Sequence, residues 1–454
     1  MNCKDNFYRY NWLYSNLPPN FPFVMILLLV LLPFLMLISC GGPVAEETPP
    51  EGVFTDSSVS SHGGPMLLAH YMPWYRGPSN RSEDRNTSSY GGHWTRWGAF
   101  NPTLHSNGRA HIFAKQYPLT GPYHSGNTSL LEYQVSLMKI AGMDGVIFDW
   151  YGAYDANDFG ENQEYTTAMV DVLRRAGLMY SAMYEDNTLN MMGKSGDDAI
   201  TIGRYSFDWA QKNWFAEDPL YVRYEGRPVV MCFGPQHFKQ KTQWDDVFKN
   251  VIPTPVFIDL DYHYSRSDGS FPWPPMGASE NGVLTQTRLT AYLDEFYNRK
   301  RSKTYKVASV FSAFDDAYAS SYGHLAYDNG AVFDLTWNKA VSSNPHIIQI
   351  VTWNDYGEGT IIEPTMERGY RELEYIQDRV REYNPGFPFT KEDLRWPLEF
   401  YKLRYTQTAS LSQETAVKAA INALFAGNAA LFRTEAAKTG AAVDINNLKP
   451  LLRN

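Results

Sequence analysis

Between His346 and Pro364 the chain reads HIIQIVTWNDYGEGTIIEP, an uncharged run that breaks into Trp353, Asn354, Asp355, Tyr356, Gly357, Glu358 and Gly359. Two acids three residues apart, separated by an aromatic and a glycine, fit a tight loop that can aim both carboxyls into one cleft. Glycosidic bond cleavage needs such a pair: a protonated carboxyl donates to the leaving oxygen, and an ionised one acts as base or nucleophile. Trp353 and Tyr356 would add a flat stacking face and an apolar wall that raises the acid's pKa. A D-x-x-E string alone is common, so its weight depends on what surrounds it.

Strands that could carry such a loop recur along the chain. Short apolar runs at Met66–Tyr71, Gly145–Asp149, Met179–Tyr184, Pro228–Phe233, Pro255–Leu260, Lys306–Phe311 and Ile347–Trp353 read as strands. Helical spacing appears at Ser129–Ala141, Gln163–Ala176, Asp197–Phe215, Leu289–Lys300 and Thr365–Tyr383. This alternation predicts an α/β fold, a (β/α)8 barrel of the TIM type, with seven of the eight strands legible.

Five of those strands run straight into acids: Asp149; Glu185 and Asp186; Asp259 and Asp261; Asp315 and Asp316; Asp355 and Glu358. All strands of a parallel barrel open at one face, so the repeat predicts a ring of carboxylates around one mouth. One Asp after a strand can simply cap the next helix; five in the same pattern point to convergence. Within this ring Asp149 with Trp150, a carboxylate beside an indole, suits a pyranose. Glu185, Asp186, Asp261 and Tyr262 are further substrate-contact candidates, and Glu363 could brace the loop from below.

Composition narrows the classes. The 454 residues are 44% hydrophobic and 20% charged, as expected for a globular chain, while 15% aromatics exceed what a core normally needs and suit a surface for flat ligands. A net charge of −9 without any basic run excludes a nucleic-acid binder. Neither G-x-G-x-x-G nor a P-loop occurs, so the Asp259–Asp261 pair lacks the nucleotide pocket of a metal-dependent sugar transferase. H-E-x-x-H and G-x-S-x-G are absent too, and three cysteines at spacings of 37 and 192 match no zinc pattern. No metal and no cofactor are expected.

TWNDYGEGTIIEP closely resembles the W-N-E-W-x-E-G-T-x-I-E signature of glycoside hydrolase family 99, the endo-α-mannosidases, and its relatives in the family 71/99 grouping. The resemblance extends to AHYMPWY at Ala69–Tyr75, GGHWTRWG around His93 and Trp94, and LLEYQVSLMKIAGMDGVIFDWYG at Leu130–Gly152, covering about residues 66 to 385. It implies a (β/α)8 barrel that cleaves within α-linked, mannan-like chains with retention, through a 1,2-anhydro sugar. Matched residue by residue, Asp355 takes the place of the base and Glu358 that of the general acid/base. Tyr71 and Trp74 fall where the family has a substrate-contacting Tyr, and His93 with Trp94 lies in the loop after the first strand. The departure is at Asp355, where the family signature has Glu. If the missing methylene disables the base, a non-catalytic glycan-binding protein remains.

The first 64 residues speak about location. Phe21 to Ser39 is uncharged and apolar, preceded by Lys4 and Arg9 and followed by LISC ending in Cys40. This resembles a bacterial lipobox, predicting an exported lipoprotein held to the outer membrane or cell surface through a lipid on Cys40; the alternative is an uncut signal anchor. The expected organisation is a signal peptide at 1–39, a Gly/Pro/Ser/Glu-rich tether at 40–64, a catalytic barrel at 65–406 and an Ala-rich helical extension at 407–454.

Overall fold

The computed structural model describes residue 60 and residues 62–79, 87–261, 264, 267–299 and 305–443. The expected signal peptide, Cys40, most of the expected tether, Tyr262 and the last eleven residues lie outside the described residues.

Eight parallel strands close into a ring: β1 Met66–Tyr71, β2 Gly145–Trp150, β3 Met179–Tyr184, β4 Arg227–Cys232, β5 Val256–Leu260, β6 Gly269–Phe271, β7 Tyr305–Val310 and β8 Ile347–Ile350. Each pairs with its chain neighbour, as in Asp149↔Met183 between β2 and β3 and Ala182↔Val230 between β3 and β4. The ring closes where β1 lies against β8 in the register Met66↔Ile347. The strand that sequence reading missed is β6. It has three residues, and among the described residues no helix separates it from β5, so neither length nor alternation marks it.

The pleat sends successive side chains to opposite faces. Met66, Leu68, Ile147, Met183, Met231 and Ile258 fill the barrel interior, whereas Leu67, Ala69, Val146, Phe148 and Trp150 face the surrounding helices. Those helices are α1 Thr128–Ala141, α2 Phe159–Ala176, α3 Gly196–Ala210, α4 Lys241–Val247, α5 Gln286–Asn298, α6 Ala331–Ser342 and α7 Arg371–Tyr383. The Asn127 side chain caps α1 by accepting from the Leu130 amide at 3.0 Å. Helices α4 and α6 are not among those expected from the sequence, and α7 starts later than expected. The segment before α7 instead bridges Pro118 at Thr365 in extended pairing, with the Met366 amide donating to the Tyr117 carbonyl at 2.9 Å.

Three more helices follow: α8 Trp396–Tyr405, α9 Leu411–Phe425 and α10 Ala429–Lys438. Ser410 and Gln413 form a capping box at the start of α9. Val417, Ile421, Leu424 and Phe432 join the same apolar layer that covers the barrel: α8 and α9 pack onto α1, α9 also reaches α2, and α10 packs on α9.

Candidate active site

After β8 the chain folds into a tied loop. The Thr352 hydroxyl accepts from the Asp355 amide at 2.8 Å, and the Thr352 amide donates to the Thr360 carbonyl at 2.8 Å. Asn354 grips the segment after β1 in both directions, accepting from the Met72 amide at 2.8 Å and donating to its carbonyl at 3.0 Å. On the other side the Asp315 amide donates to the Glu358 carbonyl at 2.9 Å, and Gly359, with φ +70°, lies so close that a Cβ would stand 2.4 Å from the Asp315 carbonyl oxygen. Only glycine allows that approach. The loop is thus braced between the ends of β1 and β7.

Asp355 is 7% exposed, and its Oδ1 accepts from the Glu358 amide at 3.0 Å. Burial raises its pKa to about 6, opposed by that amide and by the charge of His93. Glu358 is pushed well above the ordinary carboxylate range, first by burial and then by the Asp355 charge; Trp273 opposes, and Asp316 and Asp149 add to the rise. Its Oε2 is buried with no protein partner. Asp149, on the inward face near the end of β2, behaves alike: burial and then Asp355 push it up, and its Oδ1 also has no partner. Glu185, after β3, is raised by burial and then by Asp149, Asp186 and Glu358. Four acids from β2, β3 and the β8 loop therefore share one site, where they cannot all ionise. Asp355 is the group poised to lose its proton first, and Glu358 is held protonated.

Trp74 and His93 were expected here and are present. Their rings stack at 4.4 Å and 11°, half-buried, with His93 Nε2 3.2 Å from Asp158 Oδ2. Three residues that the sequence reading passed over join them. Tyr151 packs against Trp74 at 5.9 Å and is affected by the charges of Asp149, Glu185 and Asp355. Tyr318 is affected by Asp355 and Glu358. Trp273 follows the unrecognised β6 and touches the Glu358 carboxyl. Strand alternation from Asp149 carried a signal for Tyr151, two residues on; nothing local marked Tyr318 or Trp273.

Other expected contacts lie elsewhere. Tyr71 points outward, its hydroxyl donating to Gln134 of α1 at 2.7 Å. Trp150 also points outward, its indole donating to Gln163 at 2.6 Å, because its neighbour Asp149 takes the inward face. Trp94 is fully buried, donates to the Tyr123 carbonyl at 2.8 Å and packs among Tyr75, Tyr123 and Tyr356. Trp353 and Tyr356 are core residues as well. Asp186 accepts from three backbone amides, Gln236 and His237 at 2.7 Å and Phe238 at 2.8 Å, and so braces the loop after β4. Asp261 faces α5, meeting the Tyr292 hydroxyl at 3.1 Å. Asp259 is turned into its own loop, accepting from Ser267 at 2.7 Å.

Glu363 sits behind the site as a buried hub. It accepts from Gln134 at 2.8 Å, from the Tyr356 hydroxyl at 2.7 Å and from the Tyr123 hydroxyl at 3.0 Å, and burial raises its pKa to about 7. Among the described residues no three His, Cys, Asp or Glu side chains are placed to hold a metal ion. A cavity of about 720 Å³ lies outside the barrel between α1, α8 and α9, but its charged lining, Glu132, Arg175, Arg404 and Glu414, pairs with itself.

Comparison with known proteins finds likenesses to glycoside hydrolases. The sequence profile of glycosyl hydrolase family 71 matches residues 207–417, a stretch that includes Asp355 and Glu358. The glucan endo-1,3-alpha-glucosidase of Schizosaccharomyces pombe is 26% identical over 33% of this chain and 37% of its own length. The chain thus spans about a third of the first fungal relatives it matches. The rat glycoprotein endo-alpha-1,2-mannosidase is 19% identical over 80% of this chain and 78% of its own. The solved structure of a family 99 endo-alpha-mannosidase from Bacteroides thetaiotaomicron shares the fold, with a TM-score of 0.52 and 17% identity over 71% of this chain and 98% of that one.

Proposed function

We propose that this chain, a relative of the family 71 and family 99 glycoside hydrolases, is an endo-acting enzyme that hydrolyses α-linked glucans or mannans at the mouth of its barrel. The observation that carries the reading is geometric: Asp355 and Glu358 are buried together on one loop, the Glu358 amide donating to Asp355 Oδ1 at 3.0 Å, and the Glu358 Oε2 and Asp149 Oδ1 have no protein partner. Burial and the Asp355 charge push the Glu358 carboxyl up. Glu358 donates its proton to the glycosidic oxygen as the bond to the anomeric carbon breaks. Asp355 takes a proton from the attacking hydroxyl. Trp74 and Tyr151 offer ring faces to the sugar, and Asp149 and Glu185, kept neutral, can donate to its hydroxyls.

Two attacking groups are chemically available. In an α-mannoside the axial 2-hydroxyl is trans to the leaving group, so its oxygen can reach the far side of the anomeric carbon and form a 1,2-anhydro sugar. Water then opens that ring, with net retention. In an α-glucoside the 2-hydroxyl is cis to the leaving group and cannot do this, whereas water activated by the base can attack the anomeric carbon directly, with inversion. Asp355 is one methylene shorter than the Glu of the family 99 signature, which withdraws its carboxylate by about 1–1.5 Å and leaves room for water. That length, with the family 71 match and the glucan-cleaving relative, favours water attack on an α-glucan.

The test is release of reducing ends from α-1,3-glucan and from α-mannan, with proton NMR of the first anomer formed. Release of the β-anomer from glucan supports the water route; release of the α-anomer from mannan supports the anhydro sugar. The Glu358→Gln variant should lose turnover yet keep its polymer. No release by the parent, with polymer retained, would leave a glycan-binding protein. We further infer export and lipid attachment at Cys40, supported by the apolar run that ends in LISC. A Cys40→Ser variant should then no longer incorporate labelled fatty acid, whereas the parent does; a parent without label refutes the attachment.

A further inference from the structure

Endo cleavage of a polymer requires contacts to sugar units beyond the two that flank the broken bond. The indole of Trp97 is 67% exposed, an apolar ring standing in water at the rim of the site. It meets His93 edge-on at 5.5 Å and 61°, and His93 in turn stacks on Trp74 and acts on Asp355. The ring is held in place from behind. A Cβ on Gly92 would stand 2.7 Å from the Trp97 Nε1, so only glycine lets the indole lie on that turn. The Arg96 guanidinium lies 5.4 Å from the Trp97 ring and also covers Phe113 at 5.3 Å and Tyr318 at 4.6 Å, tying this loop to the rim that carries Tyr318.

Arg96 and Trp97 have φ of 49° and 50°, a left-handed backbone that bulky side chains rarely adopt. Strain of this kind persists where surrounding contacts fix a residue in a functional position. Here it keeps apolar surface out of the core and against His93, the ring that stacks on Trp74.

We propose that Trp97 is an outer subsite platform, on which a hexopyranose unit of the polymer stacks at a position beyond the reacting bond. The assignment rests on the reading of this barrel as a site for α-linked polysaccharide. A flat indole face suits the C–H face of a pyranose ring, and a rigid one binds with little loss of conformational freedom.

The test compares Trp97→Ala and Trp97→Tyr with the full chain on α-1,3-glucan, on α-mannan and on short oligosaccharides of the same linkages. The ratio of kcat/KM for polymer to that for oligosaccharide should fall about tenfold with alanine, and tyrosine should restore most of it. Gly92→Ala, which displaces the ring without removing it, should lower the same ratio. An unchanged ratio, or an equal loss on both substrates, overturns the proposal. Affinity electrophoresis through the same polymers, with each substitution placed on Glu358→Gln, separates this from the hydrolase reading. If the parent cleaves nothing, lost retardation on replacing Trp97 still supports the platform, and equal retardation, or none for the parent, overturns it.

Discussion

Replacing Asp355 by Glu restores the residue of the family 99 signature and should nevertheless impair the proposed hydrolysis. Asp355 Oδ1 accepts from the Glu358 amide at 3.0 Å and stands 3.3 Å from where a Cβ on Gly357 would lie, so the short side chain is folded over its own loop. A Glu carboxylate reaches about 1–1.5 Å further, which breaks this contact and moves the charge into the space assigned to the attacking water. A misplacement of about 1 Å at a reacting group costs on the order of 100-fold in rate. The lost amide bond adds about 0.5–1.5 kcal/mol of destabilisation. Initial rates of reducing-end release from α-1,3-glucan, with the product anomer followed by NMR and unfolding followed in parallel, measure both effects. If Asp355→Glu matches or exceeds the parent on α-1,3-glucan, the water-room argument is refuted; release of the α-anomer from α-mannan by the same variant would put the anhydro-sugar route in its place.

The pH profile of kcat/KM should rise through about pH 6, because Asp355 must be ionised to act as base, and fall at higher pH where Glu358 loses its proton. Asp149→Asn removes one cause of the high Glu358 pKa, so the alkaline limb should move to lower pH; an unmoved limb would break the proposed coupling. Glu363 has a folded pKa of about 7 against 4.5 for the free group, so the folded state binds its proton more tightly. Its contribution to stability is full below about pH 4.5 and is lost as pH rises to 7, a window of roughly 3 kcal/mol. Thermal unfolding of Glu363→Gln at pH 5 and pH 7 should show a smaller difference between the two than the parent does. Asp186→Asn should lower the melting temperature, since the three amides are accepted by two oxygens and asparagine replaces one of them with an NH2 group that cannot accept, at a cost of about 1–3 kcal/mol. Glu185→Gln should instead reduce turnover with little change in melting, and the reverse pattern would exchange their roles.

Much of the barrel was legible because backbone periodicity writes itself into local sequence. Alternating or continuous apolar runs marked seven strands, and the acids after them marked the mouth. The Asp355–Glu358 loop was legible for the same reason: a tight turn needs its own glycines and polar ties nearby in the chain. Strand alternation also held a warning that the sequence reading did not use, since Asp149 and Trp150 are adjacent and cannot both face the interior. Tyr71 and His70 part in the same way, with Tyr71 bound to α1 and His70 beside Trp273 at 5.0 Å.

What tertiary structure alone decided is which acids and rings share a space. Asp186 and Asp261 follow strands as Glu185 does, yet one is consumed by the amides of the β4 loop and the other by α5. Trp273 reaches Glu358 only because a three-residue strand closes the ring between β5 and β7. Side-chain facing along one strand is a local property of the pleat, and it can be read from a few residues. Convergence at the mouth depends on the register between strands hundreds of residues apart, as in Met66↔Ile347, and on long loops whose partners come from across the barrel.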